Sequence, residues 1–179
     1  MSVEIKQLST EIVELLRSRG YTFATAESCT GGAIASAITQ VAGCSDVMLG
    51  GVVAYHNKIK HGILGVADEI LCRYGAVSEP VVREMVAGVS ARFGADCAVA
   101  TSGIAGPGGG TPEKPVGTVW VAVKVTDKVV TRLLQLQDCG RETNIENAVY
   151  EVLKLLRLTI NEERTVGAGS ACPDIVPLF

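Results

Sequence analysis

Ser28 sits in Glu27-Ser28-Cys29-Thr30-Gly31-Gly32, where a short apolar run gives way to a helix of small residues. The amino end of a helix offers unpaired N–H groups and a partial positive charge, so such a corner suits an oxyanion or a phosphate. Ser28 or Thr30 can equally do no more than cap the helix. As a nucleophile Ser28 needs a base, and the two histidines, His56 and His61, have no evident acidic orienter. Lys60 is the other choice, because burial disfavours an ammonium and leaves an amine able to take a proton. Tyr55 would then pass or orient that proton. Taken singly, Lys58 and Lys60 read as solvated charges and Tyr55 as packing. Cys29 is the runner-up nucleophile, its thiol open to activation by the helix terminus. Glu27 holds Lys60, accepts a backbone amide, or lies exposed on the turn.

The other chemical candidate is the stretch 102–117, with six glycines and three prolines. Ser102, Gly103, Gly106, Gly108 and Gly109 would let backbone approach a ligand closely, and a long loop of this kind is either a binding element or a rigid connector. It lacks the Gly-Lys-Ser/Thr ending of a P-loop and the spacing of a dinucleotide fingerprint. Arg141, at the start of the last helix, could reach a phosphate or simply lie exposed.

The elements that must position these residues follow from periodicity. Ile5, Leu8, Ile12, Leu15 and Leu16 recur at helical spacing, with Gly20 as the stop. Strands are predicted over 21–26, 46–55 and 96–101, with Gly50-Gly51 marking a bulge or close approach in the second. Ser78 and Pro80 open a helix that runs to about Phe93, Ser78 as its cap. Residues 117–125 and 129–136 form a hairpin across a short polar link, and a closing helix reaches roughly Glu163. The expected fold is one α/β domain over 1–163, a mixed sheet flanked by helices with an antiparallel hairpin near its C-terminal end. Residues 164–179 read as a flexible tail.

Composition narrows the function. The 179 residues are 47% hydrophobic and 20% charged with a net charge of -3, and no basic run is long enough to track a phosphate backbone. Nucleic acid is therefore not an expected partner, nor is a membrane, and the protein is expected to be cytoplasmic. The six cysteines include no Cys-x-x-Cys pair and none has a histidine at metal-ligand spacing, so reduced thiols without a metal are expected.

Ala26-Glu27-Ser28-Cys29-Thr30-Gly31-Gly32, Tyr55-x-Asn57-x-x-Lys60, Gly75-Ala76-Val77-Ser78, Gly103-Ile104-Ala105-Gly106-Pro107-Gly108-Gly109 and Lys114-Pro115-Val116-Gly117 together resemble the CinA C-terminal, or PncC, family. The resemblance covers about residues 5–160. It implies a nicotinamide-nucleotide amidohydrolase that yields nicotinic acid mononucleotide and ammonia without a cofactor or metal, on a mixed α/β fold that forms a homodimer or higher homo-oligomer. By the same carry-over Ser28 is the nucleophile, Lys60 the base and Tyr55 its partner. Glu27, Cys29, Asn57, Ser102, Arg141, the amides near Thr30, Gly31 and Gly32, and the 103–110 loop would shape the nucleotide pocket. His56, Lys58, Ile59 and Ser102 depart from the family's usual residues at the pocket's edge, which bears on substrate preference. The chain resembles the stand-alone form, without the larger amino-terminal domain of full-length CinA proteins. A different reading of the same resemblance is a regulatory module that binds a nucleotide without catalysis.

Overall fold

The computed structural model describes residues 1–167. Five strands make one mixed sheet in the order β2-β1-β3-β4-β5, comprising β1 (Phe23–Glu27), β2 (Met48–Val53), β3 (Cys97–Gly103), β4 (Thr118–Val125) and β5 (Lys128–Gln135). β1 pairs in parallel with β2 and β3, whereas β3, β4 and β5 pair antiparallel. Around the sheet lie α1 (Val3–Arg19), α2 (Ala33–Thr39), α3 (Asn57–Leu64), α4 (Asp68–Tyr74), α5 (Glu79–Phe93) and α6 (Arg141–Gly167). This is the mixed, helix-flanked sheet with a C-terminal hairpin that the sequence predicts. No helix among the described residues is long and apolar enough to cross a membrane.

Residue size sorts the two faces of the sheet. Phe23, Cys97, Val99, Val121 and Val123 join α1, α2 and α6 in one core, while Ala24, Ala26, Ala98, Ala100 and Ala122 face α5 in the other. Methyl side chains on that second face let α5 lie close, and Val82, Met85, Val86 and Val89 lose all solvent contact there. Each such side chain contributes about 1.5–3 kcal/mol by leaving water.

Several element boundaries differ from expectation. β2 starts at Met48 because Cys44–Asp46 winds into a single 3-10 turn. Gly50-Gly51 does mark an irregularity, since the β1–β2 register shifts between Phe23 and Ala24, and a Cβ on Gly51 would lie 2.2 Å from Thr25 Oγ1. Ser102 and Gly103 belong to β3, paired with Trp120 and Val119, and not to the loop. Ser78 stands at the α5 cap position, but its hydroxyl donates to Gly75 O and caps nothing. The closing helix passes Glu163 and ends at Gly167, so the first residues of the expected tail are helical; the rest of it lies outside the described residues.

The topology creates a crevice. From β1 the chain crosses to β2 through α2 on one face, and from β2 to β3 through α3, α4 and α5, with α5 on the other. β1 lies between β2 and β3, so the two crossovers leave opposite sides next to the same strand. In open α/β sheets ligands bind in the gap such a reversal opens at the carboxyl ends of the strands. Here those ends carry Ser28, Ala54 and Ser102.

Candidate active site

Ser28 follows β1 directly and is held by its backbone at both ends. Its N–H donates to Thr101 O at 3.0 Å and its carbonyl accepts from Gly31 N at 3.1 Å. Next to it, Glu27 is fully buried and turns its side chain into the amino end of α2. The carboxylate accepts from Gly32 N and Ile34 N at 3.0 Å, from Ala35 N at 2.8 Å and from Thr30 Oγ1 at 2.8 Å. Gly32, at the cap position with φ 99°, has no side chain to do this, and Glu27 reaches back to replace one. Of the roles open to Glu27, the structure selects the amide acceptor.

That arrangement corrects one expectation. The amides of Gly31 and Gly32 are already engaged, by Ser28 O and by Glu27, so these two are not free to hold an oxyanion or a phosphate. Thr30 is buried beneath the cleft, its hydroxyl 2.8 Å from that of Thr101.

Lys60 arrives from α3, the short helix that follows β2. His56 caps it, its Nδ1 accepting from Lys58 N at 3.1 Å, and Lys60 and Leu64 form its buried stripe while Lys58, Ile59 and His61 face solvent. Lys60 is only 1% exposed. Its Nζ lies 3.0 Å from Ser28 Oγ, 2.8 Å from Ala54 O and 3.4 Å from Tyr55 O. No carboxylate pairs with it among the described residues. Burial pushes its pKa below the ordinary lysine value, with the Cys29 thiol opposing weakly. Nζ donates to all three oxygens, and loss of one proton would leave a lone pair facing the Ser28 hydroxyl in place of the bond given to it.

A cleft of about 210 Å³ opens over this pair. Ser28, Cys29, Tyr55, Asn57, Lys60, Ser102, Gly103 and Arg141 line it, joined by Ala76, Val77 and Ala105. Ser102 donates to Ala76 O at 2.8 Å. Gly103 is required where it stands, because a Cβ would meet Val119 and Thr118 O at 2.7–2.8 Å. Gly106 contributes a carbonyl that accepts from Arg141 at 2.8 Å, and Gly108 and Gly109 are exposed and do not line the cleft.

Tyr55 differs from its assigned role. The hydroxyl of this exposed residue accepts from Arg141 Nη2 at 2.9 Å, and only its backbone carbonyl faces Lys60. Arg141 thereby bridges the glycine loop and the segment after β2 at the cleft's mouth. Cys29 is buried and its thiol is pushed up to about 11, chiefly by desolvation, so it is a poor nucleophile beside Ser28. Among the described residues no group of His, Cys, Asp and Glu is placed to hold a metal ion, and the five described cysteines are unpaired.

Residues 5–160 match the CinA C-terminal domain. This chain belongs to the CinA C-terminal domain family. Among its relatives, a CinA-like protein of Cytophaga hutchinsonii is 52% identical over 149 residues, 83% of this chain but 35% of the relative. The nicotinamide-nucleotide amidohydrolase PncC of Enterobacter agglomerans is 47% identical over 154 residues, covering 86% of this chain and 94% of that protein. Thus the chain spans about a third of the CinA-like relative and nearly all of the PncC relative. The crystal structure of the competence/damage inducible protein CihA from Agrobacterium tumefaciens has the same fold, with a TM-score of 0.86 at 41% identity, covering 90% of this chain and 99% of that one.

Proposed function

We propose that this CinA-family domain is an amidohydrolase that converts nicotinamide mononucleotide and water into nicotinic acid mononucleotide and ammonia. The observation that carries the reading is the 3.0 Å contact between Ser28 Oγ and a buried Lys60 amine without a carboxylate partner. The family membership and the PncC relative supply the substrate.

Lys60 accepts the Ser28 proton as Oγ bonds to the carboxamide carbon, giving a tetrahedral adduct. The C–N bond then breaks, and the nitrogen takes that proton back from Lys60 and leaves as ammonia. Water attacks the remaining ester, its proton passing to Lys60 and then to Ser28 Oγ, which frees the carboxylate product. Ala54 O and Tyr55 O hold the amine in line throughout. Arg141, at the mouth and above the glycine loop, binds the mononucleotide's phosphate.

The test is ammonia release from purified protein and nicotinamide mononucleotide, with Ser28→Ala beside it. The wild type turns over and the variant falls by on the order of 10³-fold or more. Binding of the mononucleotide without ammonia over hours would instead establish a non-catalytic module, and turnover unchanged in Ser28→Ala would refute the nucleophile.

A further inference from the structure

The turn between α4 and α5 forms the wall of the cleft through Ala76 and Val77. Its backbone is fastened in an unusual way. Four successive carbonyls each accept from a side chain: Tyr74 O from Lys114 Nζ at 3.1 Å, Gly75 O from Ser78 Oγ at 2.8 Å, Ala76 O from Ser102 Oγ at 2.8 Å and Val77 O from Lys114 Nζ at 2.8 Å. Gly75 itself has φ 72° and ψ 163°, a conformation that side chains other than hydrogen rarely adopt. Three of these four bonds come from outside the segment, two from Lys114 and one from Ser102.

Lys114 supplies two of those four bonds. Its backbone is anchored in turn by Thr111, whose N–H donates to Lys114 O at 2.9 Å and whose hydroxyl accepts from Lys114 N at 3.1 Å. Charge-assisted bonds from an ammonium are about twice as strong as neutral ones, so this half-buried side chain is the strongest tie between the glycine loop and the wall.

We propose that Lys114 is a positioning residue. Its ammonium clamps residues 74–78 to the glycine loop and so fixes the Ala76–Val77 wall against which the substrate is held. The statement about the wall stands on the geometry alone; the statement about the substrate rests on the amidohydrolase reading. Because the clamp touches neither Ser28 nor Lys60, its loss weakens binding of ground and transition states alike, which raises KM and spares kcat.

Backbone ¹⁵N order parameters of Ala76 and Val77 in the ligand-free protein decide the first part without any turnover. In Lys114→Met they fall from about 0.85 to below about 0.6, while those of α5 stay high. Wild-type values in the variant would overturn the proposal. In the ammonia assay Lys114→Met raises KM about tenfold with kcat within about threefold, and Lys114→Arg, which keeps cationic donors, recovers most of the loss. A fall in kcat at constant KM, or an Arg variant no better than Met, also overturns it. Should Lys114→Met fail to fold, Lys114→Gln carries the same measurements. A wild type that releases no ammonia counts against the amidohydrolase reading, and the order parameters still decide the clamp.

Discussion

Lys60 Nζ stands 3.0 Å from Ser28 Oγ with two backbone carbonyls as its other acceptors, so the base of the site is stationed where no anion stabilises its charge. Burial lowers its pKa in the folded protein below the 10.5 of a free lysine. The unfolded chain consequently binds more protons than the folded one between the lowered value and 10.5, and stability rises with pH across that window. Below the folded value the cost is fully present; above 10.5 it is gone. Lys60→Met should abolish ammonia release and remove this slope, so that wild type gains on the variant in urea midpoint as pH climbs. Over the same range kcat/KM of the wild type should rise as Lys60 loses its proton. Parallel stability curves for the two proteins would show that Lys60 is not held in a depressed state.

Glu27 invites a structural prediction. Its carboxylate meets three amides and one hydroxyl at 2.8–3.0 Å in a place closed to water. Glu27→Gln keeps the volume but turns an NH2 group toward some of those donors, leaving them unsatisfied. The loss should be about 2–3 kcal/mol by urea denaturation, with ammonia release falling as the Ser28 corner loosens. A variant within 0.5 kcal/mol of wild type, on the scale of an ordinary surface change, would mean that the α2 terminus does not depend on this carboxylate.

The parts of this molecule that were legible beforehand are those with a local cause. Gly20 ends α1 in a left-handed turn with φ 66°, and the β4–β5 hairpin turns on the polar Thr126 and Asp127. Ser28 and Lys60 stand as candidates on residue chemistry alone, and the family resemblance strengthens the pairing, since a lone lysine on a short helix ordinarily faces solvent. The helix that carries it packs against α5 through Leu64, a contact that no pattern near residue 60 records. The sequence leaves three roles open for Glu27 for a similar reason. Side chains that cap helices usually stand at the cap itself, whereas Glu27 reaches the α2 terminus from the end of β1, a course set by the tight Ser28-to-Gly32 turn. Ser78 shows the converse: it has the right residue type at the cap position, yet its hydroxyl is drawn to Gly75 O.

The dependence of Lys60 on α5 can be measured with two glycines. Gly88 of α5 faces α3, and a Cβ there would sit 1.9 Å from Leu64 O, so Gly88→Ala must push the two helices apart. It should cost about 1–3 kcal/mol and lower kcat, because α3 carries Lys60. Gly62, within α3, would place its Cβ in open space. Gly62→Ala should stabilise the protein by about 0.5–1 kcal/mol through helix propensity and leave turnover near wild type. Thermal unfolding and the ammonia assay on both variants make the comparison, and equal effects from the two would break the link between this packing contact and the base.

The choice of serine over the adjacent cysteine can be probed chemically. Cys29 is 6% exposed and its thiol is raised to about 11 by desolvation, so at neutral pH it is almost wholly protonated and shielded. Cys72 and Cys139 are exposed. Brief iodoacetamide treatment of the native protein at pH 7.5, followed by peptide mapping, should find label on Cys72 and Cys139 and little on Cys29, because alkylation requires an accessible thiolate. Cys29→Ala should lose no more than about tenfold in kcat/KM, since a small buried hydrophobe replaces another. Rapid labelling of Cys29 that tracks loss of ammonia release, together with loss of activity in Cys29→Ala, would transfer the nucleophile's role from the hydroxyl to the thiol beside it.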